Sequence, residues 1–208
     1  MEERYVHFDS ERRLWSVGVQ AFVVGSAFLK TRSLVGVARP FMRALMEETV
    51  NLAVEDELEA VYLAQVECRQ MMRAFARPGA RVIMHGSSVG KALLSVMTDR
   101  DLSRFLHQKG LPRLTVKTLN TTAVLREDLV ISRERGYAID DEEHAVGLRC
   151  IASVIFNENQ EPVAAVSVSG PKARIPDERV TVLGGLVRKK AEAITQHLGG
   201  VSPLMRGR

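Results

Sequence analysis

Apolar positions recur along the chain with two distinct periods, and the changes of period mark the elements. Val180, Leu183, Val187, Ala191, Ile194 and Leu198 recur every three or four residues. That spacing predicts a helix with one apolar stripe, opening near Pro176. Residues 162–169 alternate instead, which predicts a strand closed by Gly170-Pro171. Leu148 to Phe156 reads as a longer apolar strand and Tyr137 to Ile139 as a short one. Leu125 to Arg135 returns to the helical period, with Thr121 or Thr122 as cap and Gly136 in the left-handed position that ends helices.

The same reading carries through the first half. Ser88 to Met97 and Asp99 to Lys109 are predicted helices, the second stopped by Gly110, and Arg81 to Met84 is a strand after the Pro78-Gly79 turn. Val50 to Val54, Ala60 to Val66 and Met72 to Phe75 read as strands. Leu34 to Glu48 is a predicted helix with Val35, Ala38, Phe41, Leu45 and Met46 on one side, broken or bent at Pro40. Val19 to Lys30 is apolar on nearly all faces, so as a helix it needs another element to bury it. Tyr5 to Phe8 and Leu14 to Val17 form a hairpin pattern, and two strands alone are marginal in water. Strands in short succession with helices before and after predict one α+β domain with a mostly antiparallel sheet.

Composition narrows the class without naming a chemistry. The 208 residues are 46% hydrophobic and 26% charged, enough for one sizeable core plus an appendage. A formal charge of +4 permits a polyanionic partner, yet the 29 basic and 25 acidic residues are well mixed with no dense basic block. Cys68 and Cys150 form no framework, which implies reduced thiols. The amino terminus has no apolar signal core, and no segment reaches the ~18 apolar residues of a membrane span. A soluble, cytoplasmic protein without a membrane partner is the expectation.

Three stretches bear chemistry. Asp140-Asp141-Glu142-Glu143 lie between two strands, and such a cluster is costly unless it is solvated or faces something it must bind. The strand ends set Asp140 on one side of this loop and Cys150 on the other, a geometry suited to a small pocket. His85 to Ala92 follows a strand and opens a helix. It is no nucleotide P-loop, having three residues between Gly86 and Gly90 and Ala92 after Lys91. It is a plain tight turn or, through its free amides, a cradle for a small carboxylate. Alternation puts the Ser167 and Ser169 hydroxyls on one strand face, where a ligand or a buried water would have to pair them. Cys150 with His144 and His85 admits a cysteine hydrolase, and Asp140, His144 and Cys150 a metal enzyme. Spacing establishes neither, and there is no GxSxG elbow or standard zinc pattern. His7, His107 and His197 read as surface or packing residues.

The run GYAIDDEEHAVGLRCIA (136–152) followed by AAVSVSGP (164–171) resembles the effector-binding domain of the IclR family of bacterial transcriptional regulators, within it the branch that senses glyoxylate, pyruvate or similar 2-oxo acids. The resemblance runs from about residue 5 to about residue 200 and implies a division of the chain. Residues 1–17 would be the remnant wing of a winged helix-turn-helix domain, of which roughly 60 residues lie outside the chain. Residues 18–33 would be a linker helix, 34–200 a GAF-like effector-binding domain and 201–208 a disordered tail. It also implies a site: backbone amides of Ser88 and Val89, then Asp140, Cys150, Ser167 and Ser169, with Met71 and Val82 as an apolar wall. Relatives of that branch carry Gly and Ala where this chain has Ser88 and Val89, so Val89 narrows the site and Ser88 adds a donor. A repressor without enzymatic activity or cofactor follows, a homodimer or homotetramer that meets operator DNA through the winged domain. Specific operator binding by these 208 residues alone is not expected.

Overall fold

The computed structural model describes residues 5–10, 12–31, 34–71, 74 and 77–203, in two compact units, Met1–Gly36 and Val37–Arg208. In the first unit β1 (Val6–Asp9) and β2 (Leu14–Val17) pair antiparallel. Phe8 faces Trp15 across the ladder, ring centroids 4.8 Å apart. The predicted apolar helix follows as α1 (Val19–Thr31). Trp15, Val17 and Phe22 are all exposed.

α2 (Leu34–Arg43) buries Ala38 and Met42 and keeps Pro40 inside it. It ends five residues before the predicted Glu48. Glu48 is buried there and forms a two-pronged pair with Arg174, Nε to Oε1 at 2.6 Å and the second nitrogen to Oε2 at 2.7 Å. A helix continued to residue 48 would compete with that placement, and a side chain on Gly170 would collide with the same carboxylate.

In the second unit the described residues form a six-stranded antiparallel sheet. Its strands are β3 (Thr49–Asp56), β4 (Glu59–Val66), β5 (Arg81–Ile83), β6 (Ala138–Asp141), β7 (Leu148–Phe156) and β8 (Pro162–Pro171), in the order β5-β4-β3-β8-β7-β6. β7 has the predicted bounds. β8 runs two residues past Ser169, because Gly170 and Pro171 pair with Arg149 and Leu148; a proline at a strand's last position breaks no ladder. Of the predicted strand Met72 to Phe75, residues 72, 73 and 75 lie outside the described residues, as do 204–208 of the tail.

Helices cover both faces. α6 (Asp177–His197) packs on β7 and β8, burying its predicted stripe at Leu183, Val187, Ala191 and Ile194. α3 (Ser88–Ser95) lies over the central strands with α4 (Asp99–Lys109) and α5 (Thr122–Arg135), on the face carrying Ala53, Ala60, Ala152 and Ala165. Alanines let α3 approach closely. At Gly90 the approach is closest, since a Cβ there would stand 2.2 Å from the Met84 backbone. Thr121 caps α5 by accepting from the Val124 amide, and Gly136 (φ 80°) ends it as predicted. No described helix is long and apolar enough to cross a membrane.

Candidate functional site

On the α3 face of the sheet lies an open cavity of about 450 Å³. Its floor takes one side chain from each of five adjacent strands: Val82, Tyr62, Asn51, Ser169 and Cys150. Arg77 and Ala80, from the connection into β5, wall one end. His144 and Leu148, from the acidic loop and the start of β7, wall the other.

Strand register builds the polar floor. Thr49, Ser169 and Cys150 are directly paired across β3, β8 and β7. Gln65 Nε2 donates to Asn51 Oδ1 at 3.0 Å, and Asn51 Nδ2 donates to Ser169 Oγ at 3.3 Å. Burial pushes the Cys150 thiol well up and the Asp140 charge adds to this, while a hydrogen bond to Ser169 opposes it. Burial likewise raises the Tyr62 phenol, followed by the charges of Cys150 and Asp140. At neutral pH these are neutral hydrogen-bonding groups rather than nucleophiles.

The acidic loop divides its carboxylates. Asp140, 1% exposed, accepts from the amides of Glu143 and His144 at 2.8 and 3.2 Å. Burial raises its pKa, and those two amides pull against it. Glu143 accepts from Lys91 Nζ at 2.5 Å, and the fully buried Lys91 also lies 3.1 Å from Asp128. Burial still pushes Glu143 up to about 7. Asp141 and Glu142 face the other way. Lys117, Lys172 and the Gly147 amide bring Glu142 down to about 2. Asp141, against the effect of its partial burial, is held low by Lys172, Arg149 and Lys117. Glu143 Oε2, His144 Nδ1 and Ser167 Oγ are buried without a hydrogen-bond partner.

Of the residues expected at a site, the structure brings Val82, Cys150 and Ser169 together on the cavity wall. Asp140 lies close enough to act on Cys150 and Tyr62 electrostatically, but its carboxylate is engaged by the loop's own amides. Ser88, Val89 and Ser167 are buried and do not line the cavity. The turn before α3 is closed by Ser87, which accepts from the Gly90 amide and donates to the Ile83 carbonyl. Met71 is a correction: it is 98% exposed, because β4 ends at Val66 and the chain has left the sheet by then. Asn51, Tyr62 and Arg77 were not anticipated. Asn51 had a signal, as the polar position inside an otherwise apolar strand; Arg77 had none.

His85 is packing. Its Nε2 lies 3.0 Å from the Pro112 carbonyl, and burial lowers its pKa. His197 stacks edge-on against Phe41. Among the described residues no three His, Cys, Asp or Glu side chains are grouped to hold a metal ion.

A family model described as bacterial transcriptional regulator IclR C-terminal matches residues 26–196. The chain is 47% identical over 204 residues to the acetate operon repressor of Salmonella typhimurium, covering 96% of this chain and 74% of that one. It is 45% identical over 205 residues to the transcriptional repressor IclR of Escherichia coli, covering 96% and 75%. The crystal structure of Thermotoga maritima IclR superimposes with a TM-score of 0.81 at 30% identity, covering 95% of this chain and 81% of that one. These relatives are regulators, and the raised Cys150 thiol agrees, so the reading of Cys150 and His144 as catalytic is set aside. The chain belongs to the IclR family of bacterial transcriptional regulators, whose C-terminal domain it carries at residues 26–196.

Proposed function

We propose that this chain is the ligand-sensing and oligomerising part of a transcriptional repressor, and that a small 2-oxo acid, glyoxylate first and pyruvate second, is its effector. The cavity carries the reading. Its floor offers neutral hydrogen-bonding groups at Asn51, Ser169 and Cys150, which suit a carboxylate or carbonyl better than they suit a cation. Ser88, Val89, Asp140 and Ser167 complete the site on this proposal, with the unpartnered Ser167 hydroxyl available to a ligand that reaches past the cavity floor. A ligand acts only if it prefers one arrangement of the protein. Here the route starts at His144 in the cavity wall, passes to Glu143 beside it and crosses to Lys91 of α3 and Asp128 of α5. Residues 18–33 would pass that preference to paired winged domains on operator DNA, whose half-site spacing is fixed by the dimer.

Isothermal titration with glyoxylate and pyruvate tests it. Saturable binding, weakened about tenfold or more by Ser169→Ala through loss of one hydrogen bond to a charged ligand, is expected. Failure of both acids to bind the folded chain would move the effector to another chemical class.

A further inference from the structure

Strand β4 holds an extra residue. Gln65 faces Asn51 and Ala64 faces Leu52, but Ala53 faces Tyr62, so Leu63 is bulged out of the ladder. Side chains alternate along a regular strand. Without the bulge Leu63 would share the face of Gln65, and Tyr62 would point to the other side of the sheet. The bulge turns Tyr62 onto the face of Asn51 and Ala53, where it lines the cavity. Two backbone bonds fix it there. Its amide donates to the Ala80 carbonyl at 3.0 Å, and the Gly79 amide donates to its carbonyl at 2.7 Å.

That placement divides the cavity. Strand order sets the apolar Val82 on one side of Tyr62 and Asn51, Ser169 and Cys150 on the other. Ala80 adds to the apolar side. A small acid needs only the polar side. Between the two sides stands a side chain with an apolar ring and one polar tip. Charges on Cys150 and Asp140, from β7 and β6, act on the phenol, so its tip is turned towards the polar floor. Burial keeps the phenol protonated at neutral pH, which makes it a donor.

Resting on the small-acid reading of this cavity, we propose that Tyr62 selects the effector by size. Its hydroxyl donates to an oxygen of the acid held on the polar floor, and its ring closes the recess at Val82 and Ala80 to longer chains.

The test is isothermal titration of the intact chain, and of its Tyr62→Phe and Tyr62→Ala variants, with pyruvate and with the longer, branched 2-oxoisocaproate. The native chain should prefer pyruvate. Tyr62→Phe keeps the ring and loses the donor, so it should weaken pyruvate about tenfold, as for one hydrogen bond to a charged ligand, and leave the preference in place. Tyr62→Ala opens the recess. It should shift the preference towards 2-oxoisocaproate by about tenfold or more, since each further carbon buried there is worth about fourfold. A merely structural role would weaken both acids alike and leave their ratio unmoved. If Tyr62→Phe binds pyruvate within about twofold of the native chain, or a folded Tyr62→Ala keeps the native ratio, the role of Tyr62 is refuted while the small-acid reading stands. Should Tyr62→Ala not fold, the Tyr62→Phe titration decides alone. If neither acid binds a native chain with a folded circular-dichroism spectrum, both readings fall.

Discussion

Asp140 and Glu143 differ from their neighbours Asp141 and Glu142 in almost nothing that a sequence records, yet the fold sends the two pairs to opposite environments. Asp140 and Glu143 are buried, and burial raises both. Asp141 and Glu142 meet Lys117 and Lys172, with Arg149 also on Asp141, and both are lowered. Backbone geometry does the sorting. Strand alternation turns Asp140 and Asp141 to opposite faces, and Glu142 takes a left-handed φ of 63° that swings Glu143 back inside. One acidic run thus serves as internal brace and solvated clasp at once.

The comparison breaks most visibly at Lys91. Lys91→Met would leave Glu143 and Asp128 without their shared cation. It should destabilise the fold by about 3 kcal/mol, the low end for removing one partner of a buried pair, because Glu143 can relieve the strain by binding a proton. Urea denaturation at pH 7 measures this, and a loss below the error of the curve would mean the buried pair does not hold α3 to the loop.

Asp140→Ala comes next. It strips the acceptor from two loop amides and should cost about 1–2 kcal/mol, with Asp140→Asn costing less because its carbonyl oxygen still accepts. Equal losses for the two variants would show that charge rather than amide capping is what Asp140 supplies.

A pH series sharpens the contrast. The Glu143 pKa rises on folding from an ordinary 4.5 to about 7, so its contribution to stability is full below pH 4.5 and is lost as pH rises through about 7. Glu142 falls to about 2, so its contribution is present above pH 4.5 and is lost as pH drops towards 2. Glu143→Gln should flatten the upper limb of a stability–pH curve and leave the acid limb unchanged. Lys172→Ala, breaking only partly buried pairs, should have the smallest effect on the denaturation midpoint, and 1 M salt, where screening acts within ~3 Å, should reduce it.

Much of this was legible in the residues themselves. The β7 bounds, a threonine cap at Thr121 or Thr122 and the Gly136 stop all follow from short-range rules, because each depends on a side chain's relation to its own few neighbours; the structure selects Thr121. The end of α2 was not legible, since it is set by Arg174, a residue 126 positions away from Glu48. Nor was the outward placement of Met71. A motif position names a residue without saying whether the chain has already left the sheet there.

The sequence by itself determined the family, the antiparallel α+β class and the candidate polar residues Cys150, Ser167 and Ser169, because periodicity and motif are properties of adjacent residues. Only the tertiary structure decided which polar groups share a cavity. Strand order brings Val82, Tyr62, Asn51, Ser169 and Cys150 onto one floor from positions spread between 51 and 169. It also decided which acids are paired, since a carboxylate's pKa follows from burial and from cations contributed by distant elements, and neither can be read from the residues beside it.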